Sequence, residues 1–167
     1  LYAVDSETGE VTWRFADPRA WIRSSPTVVD GRVYVGSIDT NLYAVDAATG
    51  RHEWTFGTDG EVFSSPTVAN VTVYFGSHDG TLYAVDSRTG EVVWRFTEPS
   101  GEVFSSPTVV EDTSGSSTDS RVLLGTLNHH DEVRSGDALT AEDLGDVEAV
   151  SRLNLPPARD RGAWEEL

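Results

Sequence analysis

The stretch LYAVDSETGEVTWRF at residues 1–15 returns at 42–56 as LYAVDAATGRHEWTF and at 82–96 as LYAVDSRTGEVVWRF. A chain that spells one hairpin three times must give each copy an equivalent environment, and few folds do that. Leu1, Leu42 and Leu82 set the period at 41 and 40 residues, and Trp13, Trp54 and Trp94 keep the same spacing. Between the hairpins a second block recurs: SSPTVVDGRVYVGS from Ser24, SSPTVANVTVYFGS from Ser64, and SSPTVVEDTSGSSTDSRVLLGT from Ser105. Each full repeat therefore reads as four short strands, SPTVV, VYVGS, LYAVD and the segment ending in W-x-F. Four strands in about 40–45 residues is the period of a β-propeller blade. No 3.6-residue periodicity precedes residue 130 to support a helical solenoid.

The runs VYVG and LYAV are nearly continuously apolar, which requires cover on both faces of the sheet, as a blade between two neighbours has. The turns have their own chemistry. In D-x-x-T-G the carboxylates of Asp5, Asp46 and Asp86 can accept backbone N–H groups, and Gly9, Gly50 and Gly90 supply the positive φ of a hairpin bulge. Asp30–Gly31 is a tight-turn signal between the first two strands of its blade. Trp13, Trp54 and Trp94, fixed in register, are expected to plug the seams between blades.

The pattern A-x-D-x-x-T-G-x-x-x-W, at Ala3–Trp13, Ala44–Trp54 and Ala84–Trp94, resembles the pyrroloquinoline-quinone (PQQ) repeat. That repeat builds the propellers of quinoprotein alcohol dehydrogenases and of BamB-like barrel-assembly lipoproteins. The resemblance covers residues 1–111 and implies an all-β propeller of four-stranded antiparallel blades, about three and a half of them here. The expected layout is a half blade at 1–15 (third and fourth strands), blades at 24–56 and 64–96, and an irregular blade at 105–150. Residues 111–120 form a Ser/Asp/Gly-rich insert in that last blade. There, 138–150 read as a decayed hairpin or a short helix, with Gly145 in the place of Gly90, and 151–167, with Pro156–Pro157, as a tail or linker.

The chain carries 28 acidic and 12 basic residues, a formal −16, and every basic residue is arginine. Such a surface is suited to high salt, where the Debye length shrinks to about 3 Å at 1 M, so an origin in a halophilic archaeon is expected. It disfavours nucleic acid and anionic membranes, which require a basic face. Cysteine is absent, which removes disulfides and thiolate chemistry; methionine is absent too, so the chain reads as part of something longer.

In the family, quinoprotein dehydrogenases hold PQQ and Ca²⁺ with carboxylate and amide oxygens, use an aspartate base, and typically carry a pair of adjacent cysteines. The sequence offers no cysteine and only Asn41, Asn70, Asn128 and Asn154 as asparagines. His129–His130–Asp131–Glu132 is the one metal-like cluster, but neighbours in an extended segment point to opposite sides, so it reads as a surface loop. His78–Asp79–Gly80 and Ile38–Asp39–Thr40 share one repeat position, where a turn is needed and a Ca²⁺ ligand conceivable. The Ser-Ser-Pro elements recur at strand starts and serve structure. No catalytic, cofactor-binding or metal-binding residue is assigned. The expectation is a non-catalytic binding or scaffolding module without PQQ or Ca²⁺, whose partner is a protein, the remaining blades of a larger propeller, or a second copy. The alternatives are a fragment of a PQQ-dependent dehydrogenase and the sensor domain of a signalling protein. An extracytoplasmic or cell-surface location is favoured.

Overall fold

The computed structural model describes residues 1–97, 101–111 and 120–126. The insert at 112–119, the His129–Glu132 loop, the 138–150 segment and the 151–167 tail lie outside the described residues. Among the described residues all regular structure is β, and no helix is long and apolar enough to cross a membrane.

Among the described residues, twelve strands form four antiparallel sheets. A first hairpin pairs β1 (Tyr2–Val4) with β2 (Val11–Arg14). Blade 1 runs β3 (Thr27–Val29), β4 (Arg32–Gly36), β5 (Asn41–Asp46) and β6 (His52–Gly57), each strand beside the next. Blade 2 repeats this with β7 (Thr67–Ala69), β8 (Thr72–Gly76), β9 (Leu82–Asp86) and β10 (Val92–Phe96). A last hairpin pairs β11 (Thr108–Glu111) with β12 (Ser120–Leu123). This is the all-β propeller architecture expected from the repeat.

The turns form as their residues dictate. In blade 1, Gly50 donates its N–H to the Asp46 carbonyl at 2.8 Å with φ +70°, while the Asp46 carboxylate accepts the Thr49 N–H and hydroxyl at 2.8 and 2.6 Å. The pairing register then slips at Ala44/Val45, the bulge that such a glycine creates. Asp5–Gly9 and Asp86–Gly90 close in the same way. The turn at Asp30–Gly31 has both residues at positive φ, +49° and +75°, the backbone of a type I′ hairpin. Its counterpart in blade 2 is Asn70–Val71, at +49° and +60°.

The core lies in the seams between sheets. Alternate residues of one strand serve opposite seams, which is why the strands read as continuous apolar runs. Val33, Val35, Tyr43 and Val45 of blade 1 pack with Phe15 and Trp13 of the first hairpin. Tyr34, Leu42, Ala44 and Trp54, from the same strands and β6, pack with Val73, Phe75, Tyr83 and Val85 of blade 2.

The SSPT block ties neighbours together. Ser24 Oγ donates to the Gly36 carbonyl and accepts its N–H, closing the connection onto its own blade. Ser25 N–H donates to Ser65 Oγ at 2.8 Å, and Thr27 Oγ1 donates to the Pro66 carbonyl. One repeat later, Ser65 N–H donates to Ser106 Oγ and Thr67 Oγ1 to the Pro107 carbonyl. Successive first strands are thus stitched side chain to backbone.

Candidate functional site

Because each SSPT block sits beside the next, the residue just before it lines up across blades. Those residues are Arg23, Phe63 and Phe104. The Arg23 guanidinium lies over the Phe63 ring at 5.7 Å from its centroid, and Phe63 and Phe104 are 5.7 Å apart. Arg23 also covers the Trp21 indole at 5.5 Å, and Trp21 is 69% exposed. The result is a stripe of one cation and three aromatic rings built from loops rather than strands.

His78 is wedged into this stripe. Its ring stacks on Phe63 at 4.3 Å and lies 3.8 Å from Phe104. The backbone fixes it there, since His78 N–H donates to the Glu61 carbonyl at 3.0 Å, and its Nδ1 lies 3.5 Å from Glu61 Oε2. Its Nε2 is buried with no hydrogen-bond partner. Arginine and aromatic rings in one accessible patch are the side chains that carry most binding energy at protein interfaces.

The turn aspartates are already committed. Burial works to raise the Asp39 carboxyl, but donation from Arg19 N–H at 2.7 Å, Tyr43 hydroxyl at 2.9 Å and the Asn41 amide outweighs it and leaves the group below its ordinary range. Desolvation together with the Asp39 bond pushes the Tyr43 phenol up to about 12. Asp79 accepts from Asp59 N–H, Thr81 N–H and the Tyr83 hydroxyl, and the Tyr83 phenol is pushed up to about 12, first by burial and then by that bond. Asp5, Asp46 and Asp86 are lowered by the N–H and hydroxyl groups of their own turns. These carboxylates bond the local turns, and among the described residues no three His, Asp or Glu side chains converge on a metal position.

Sequence reasoning placed Asp39 and Asp79 at equivalent turns, and both lie there; it did not single out Trp21, Arg23, Phe63 or Phe104. The signal was available in the repeat, where RSSPT, FSSPT and FSSPT differ only at the residue that projects into the stripe.

Four-stranded blades, seams filled by Trp13 and Trp54, and the D-x-x-T-G hairpin define a protein of PQQ-type propeller repeats. The family model described as outer membrane protein assembly factor BamB matches residues 1–163, and the chain belongs to that family. Among solved structures it is similar to BamB from Moraxella catarrhalis, with 25% identity and a TM-score of 0.57 over 65% of this chain and 34% of that one. A quinohemoprotein alcohol dehydrogenase from Pseudomonas putida matches at 30% identity and a TM-score of 0.52, over 57% of this chain and 17% of that one. One from Comamonas testosteroni matches at 28% and 0.52, over 57% and 18%. The chain thus spans about a third or less of these proteins' length. No match is found among curated protein sequences.

Proposed function

We propose that this chain is a non-catalytic binding module that docks a protein partner on the Trp21–Arg23–Phe63–Phe104 stripe, without bound PQQ or Ca²⁺. The observation that carries the reading is the stripe itself: four equivalent or adjacent loop positions stack an arginine on aromatic rings, and the outermost ring is left 69% exposed. An aromatic of that size in water is costly unless something covers it. The likeness to an outer membrane assembly factor supports a scaffold. The likeness to quinohemoprotein dehydrogenases supports the second reading, a fragment of a PQQ-dependent enzyme.

Two measurements separate them. Affinity capture from lysate of the source cells is compared between the wild type and a chain carrying Trp21→Ala with Arg23→Ala. A partner retained by the wild type and lost by the variant supports the binding module, and identical capture by both removes the stripe from the argument. Dye-linked oxidation of alcohols after adding PQQ and Ca²⁺, above a boiled control, overturns the non-catalytic reading.

A further inference from the structure

The turn between the first two strands of a blade is where blade 2 departs from its own repeat. Blade 1 makes this turn with Asp30–Gly31 and starts β4 on Arg32, whereas blade 2 uses Asn70–Val71 and starts β8 on Thr72. Arg32 and Thr72 hold one register position, opposite Val29 and Ala69. In the last hairpin Arg121 holds it, opposite Val110. Three successive changes therefore convert Asp-Gly-Arg into Asn-Val-Thr.

Two of the three changes cost the blade something. Arg32 Nε donates to the Glu53 carboxylate, and a threonine in its place gives up that ion pair. Asp-Gly suits a turn with both residues at positive φ, while the β-branched Val71 stands there at +60°. The backbone is nonetheless the same turn. The Val71 carbonyl accepts the Ser87 N–H at 2.9 Å, as the Gly31 carbonyl accepts that of Ala47 at 2.8 Å. Asn70 and Val71 are both exposed, and the Thr72 hydroxyl lies 3.5 Å from the Asn70 carbonyl oxygen.

What the three residues supply together is Asn-x-Thr with x other than proline, the acceptor signal for N-linked glycan transfer. Of Asn41, Asn70, Asn128 and Asn154, only Asn70 has a hydroxyl residue two positions on. We infer that Asn70 is a glycosylation site, its side-chain amide carrying an N-linked glycan at the exposed tip of the β7–β8 hairpin. In the transfer, the amide nitrogen bonds to C1 of the first sugar of a polyprenyl-phosphate-linked glycan. The bond from C1 to the phosphate oxygen breaks, the lipid phosphate leaves, and the amide proton passes to a base of the transferase. The position suits the product. The tip lies at the opposite end of β7 from Phe63, so a glycan on it leaves the binding stripe open, and it hydrates a turn where Val71 is 49% exposed. The inference carries an extracytoplasmic location with it, because such acceptors belong to surface loops of exported proteins. It does not rest on the binding stripe.

The experiment is mass spectrometry of the protein isolated from its source cells. With no lysine in the chain and no arginine between Arg51 and Arg88, trypsin releases residues 52–88 as one peptide whose single asparagine is Asn70. That peptide is expected to carry a glycan mass, and electron-transfer fragmentation is expected to place it on Asn70. Asn70→Asp puts the blade 1 residue into the turn, so the fold is kept and the glycan mass is expected to be lost. Thr72→Ala leaves Asn70 in place and is expected to lose it too, whereas Thr72→Ser keeps it at equal or lower occupancy. Circular dichroism of each variant checks the fold, and Asn70→Asp decides by itself where a Thr72 variant does not accumulate. A bare peptide from the source cells overturns the inference. So does a glycan placed on a serine or threonine of the same peptide, one that persists in Thr72→Ala, or one that is abolished in Thr72→Ser.

Discussion

The indole of Trp54 lies so close to the backbone of Gly90 that a Cβ there would stand 2.7 Å from Cε3 of the ring. Trp13 meets Gly50 in the same way at 2.6 Å, and the Nε1 donors of the two tryptophans reach the carbonyls of Ser87 and Ala47. The turn glycine is thus required twice over, for its positive φ and for the ring that rests on it. Gly9 shares the first requirement alone, with φ +73° and an open face. Gly9→Ala is expected to cost only the left-handed penalty of about 1–2 kcal/mol. Gly90→Ala should cost that plus about 1–3 kcal/mol of overpacking. Urea melts of the two variants at low protein concentration measure the difference, and equal costs would remove the seam from the account.

Trp54→Ala empties a site bounded by Tyr34 and the Gly90 turn and should destabilise by about 3–5 kcal/mol. Trp94→Ala removes a ring that is 38% exposed and should cost less than half as much. Chemical denaturation followed by circular dichroism compares them.

Val71 occupies the second position of its hairpin turn at φ +60°, where Gly31 stands in blade 1. A β-branched residue in that region is strained. Val71→Gly is expected to stabilise the fold by about 1 kcal/mol and raise the melting temperature. An unchanged or lower melting temperature would show that Val71 contributes contacts that outweigh its backbone.

Stability should fall at both ends of the pH scale for separate reasons. Asp5, Asp46 and Asp86 have folded-state values below the ordinary 3.8, so their contribution is present above about pH 4 and is lost as pH falls through the lowered values. Tyr43 and Tyr83 are raised from 10 to about 12, so their contribution is complete below pH 10 and is lost as pH rises toward 12. Melting temperatures across the range are expected to show a plateau between these limits. Tyr43→Phe together with Tyr83→Phe should flatten the alkaline limb and leave the share of the acid limb that Asp5, Asp46 and Asp86 carry in place, while Asp39 loses one of its donors.

The −16 charge without lysine predicts a melting temperature that climbs between about 0.1 M and about 2 M KCl as like-charge repulsion is screened. Equal melts at both concentrations would remove the high-salt argument.

The blade was legible in the sequence because its determinants are local and periodic. The D-x-x-T-G turn, the type I′ turn at Asp30–Gly31 and the alternation of Val33, Tyr34 and Val35 between two seams need only neighbours a few residues away. The tryptophans were legible in role but not in extent. All three read as core, whereas the structure buries Trp54, half-buries Trp13 and leaves Trp94 exposed. A tryptophan here is buried by the next blade's turn, and among the described residues such a turn faces only Trp13 and Trp54. The Arg23–Phe63–Phe104 stripe was missed because it depends on adjacency between residues about forty apart. His78 was read only as part of its turn, a position that says nothing of the Phe63 and Phe104 rings it meets.

The first hairpin and β9–β10 differ at two positions only, Glu7 against Arg88 and Thr12 against Val93. A refolding chain has little in those fifteen residues by which to tell them apart. β8 finds nearly the same partner in β1 as in β9, and a collapsed chain that chooses β1 must break that ladder before the native order can form. Near-identity of repeats, which keeps every seam alike in the finished molecule, thus gives the unfinished one competing traps of similar depth. Refolding from urea should consequently be slower and more heterogeneous than unfolding of the native protein implies, and replacing residues 1–15 with a diverged hairpin of the same pattern should speed it.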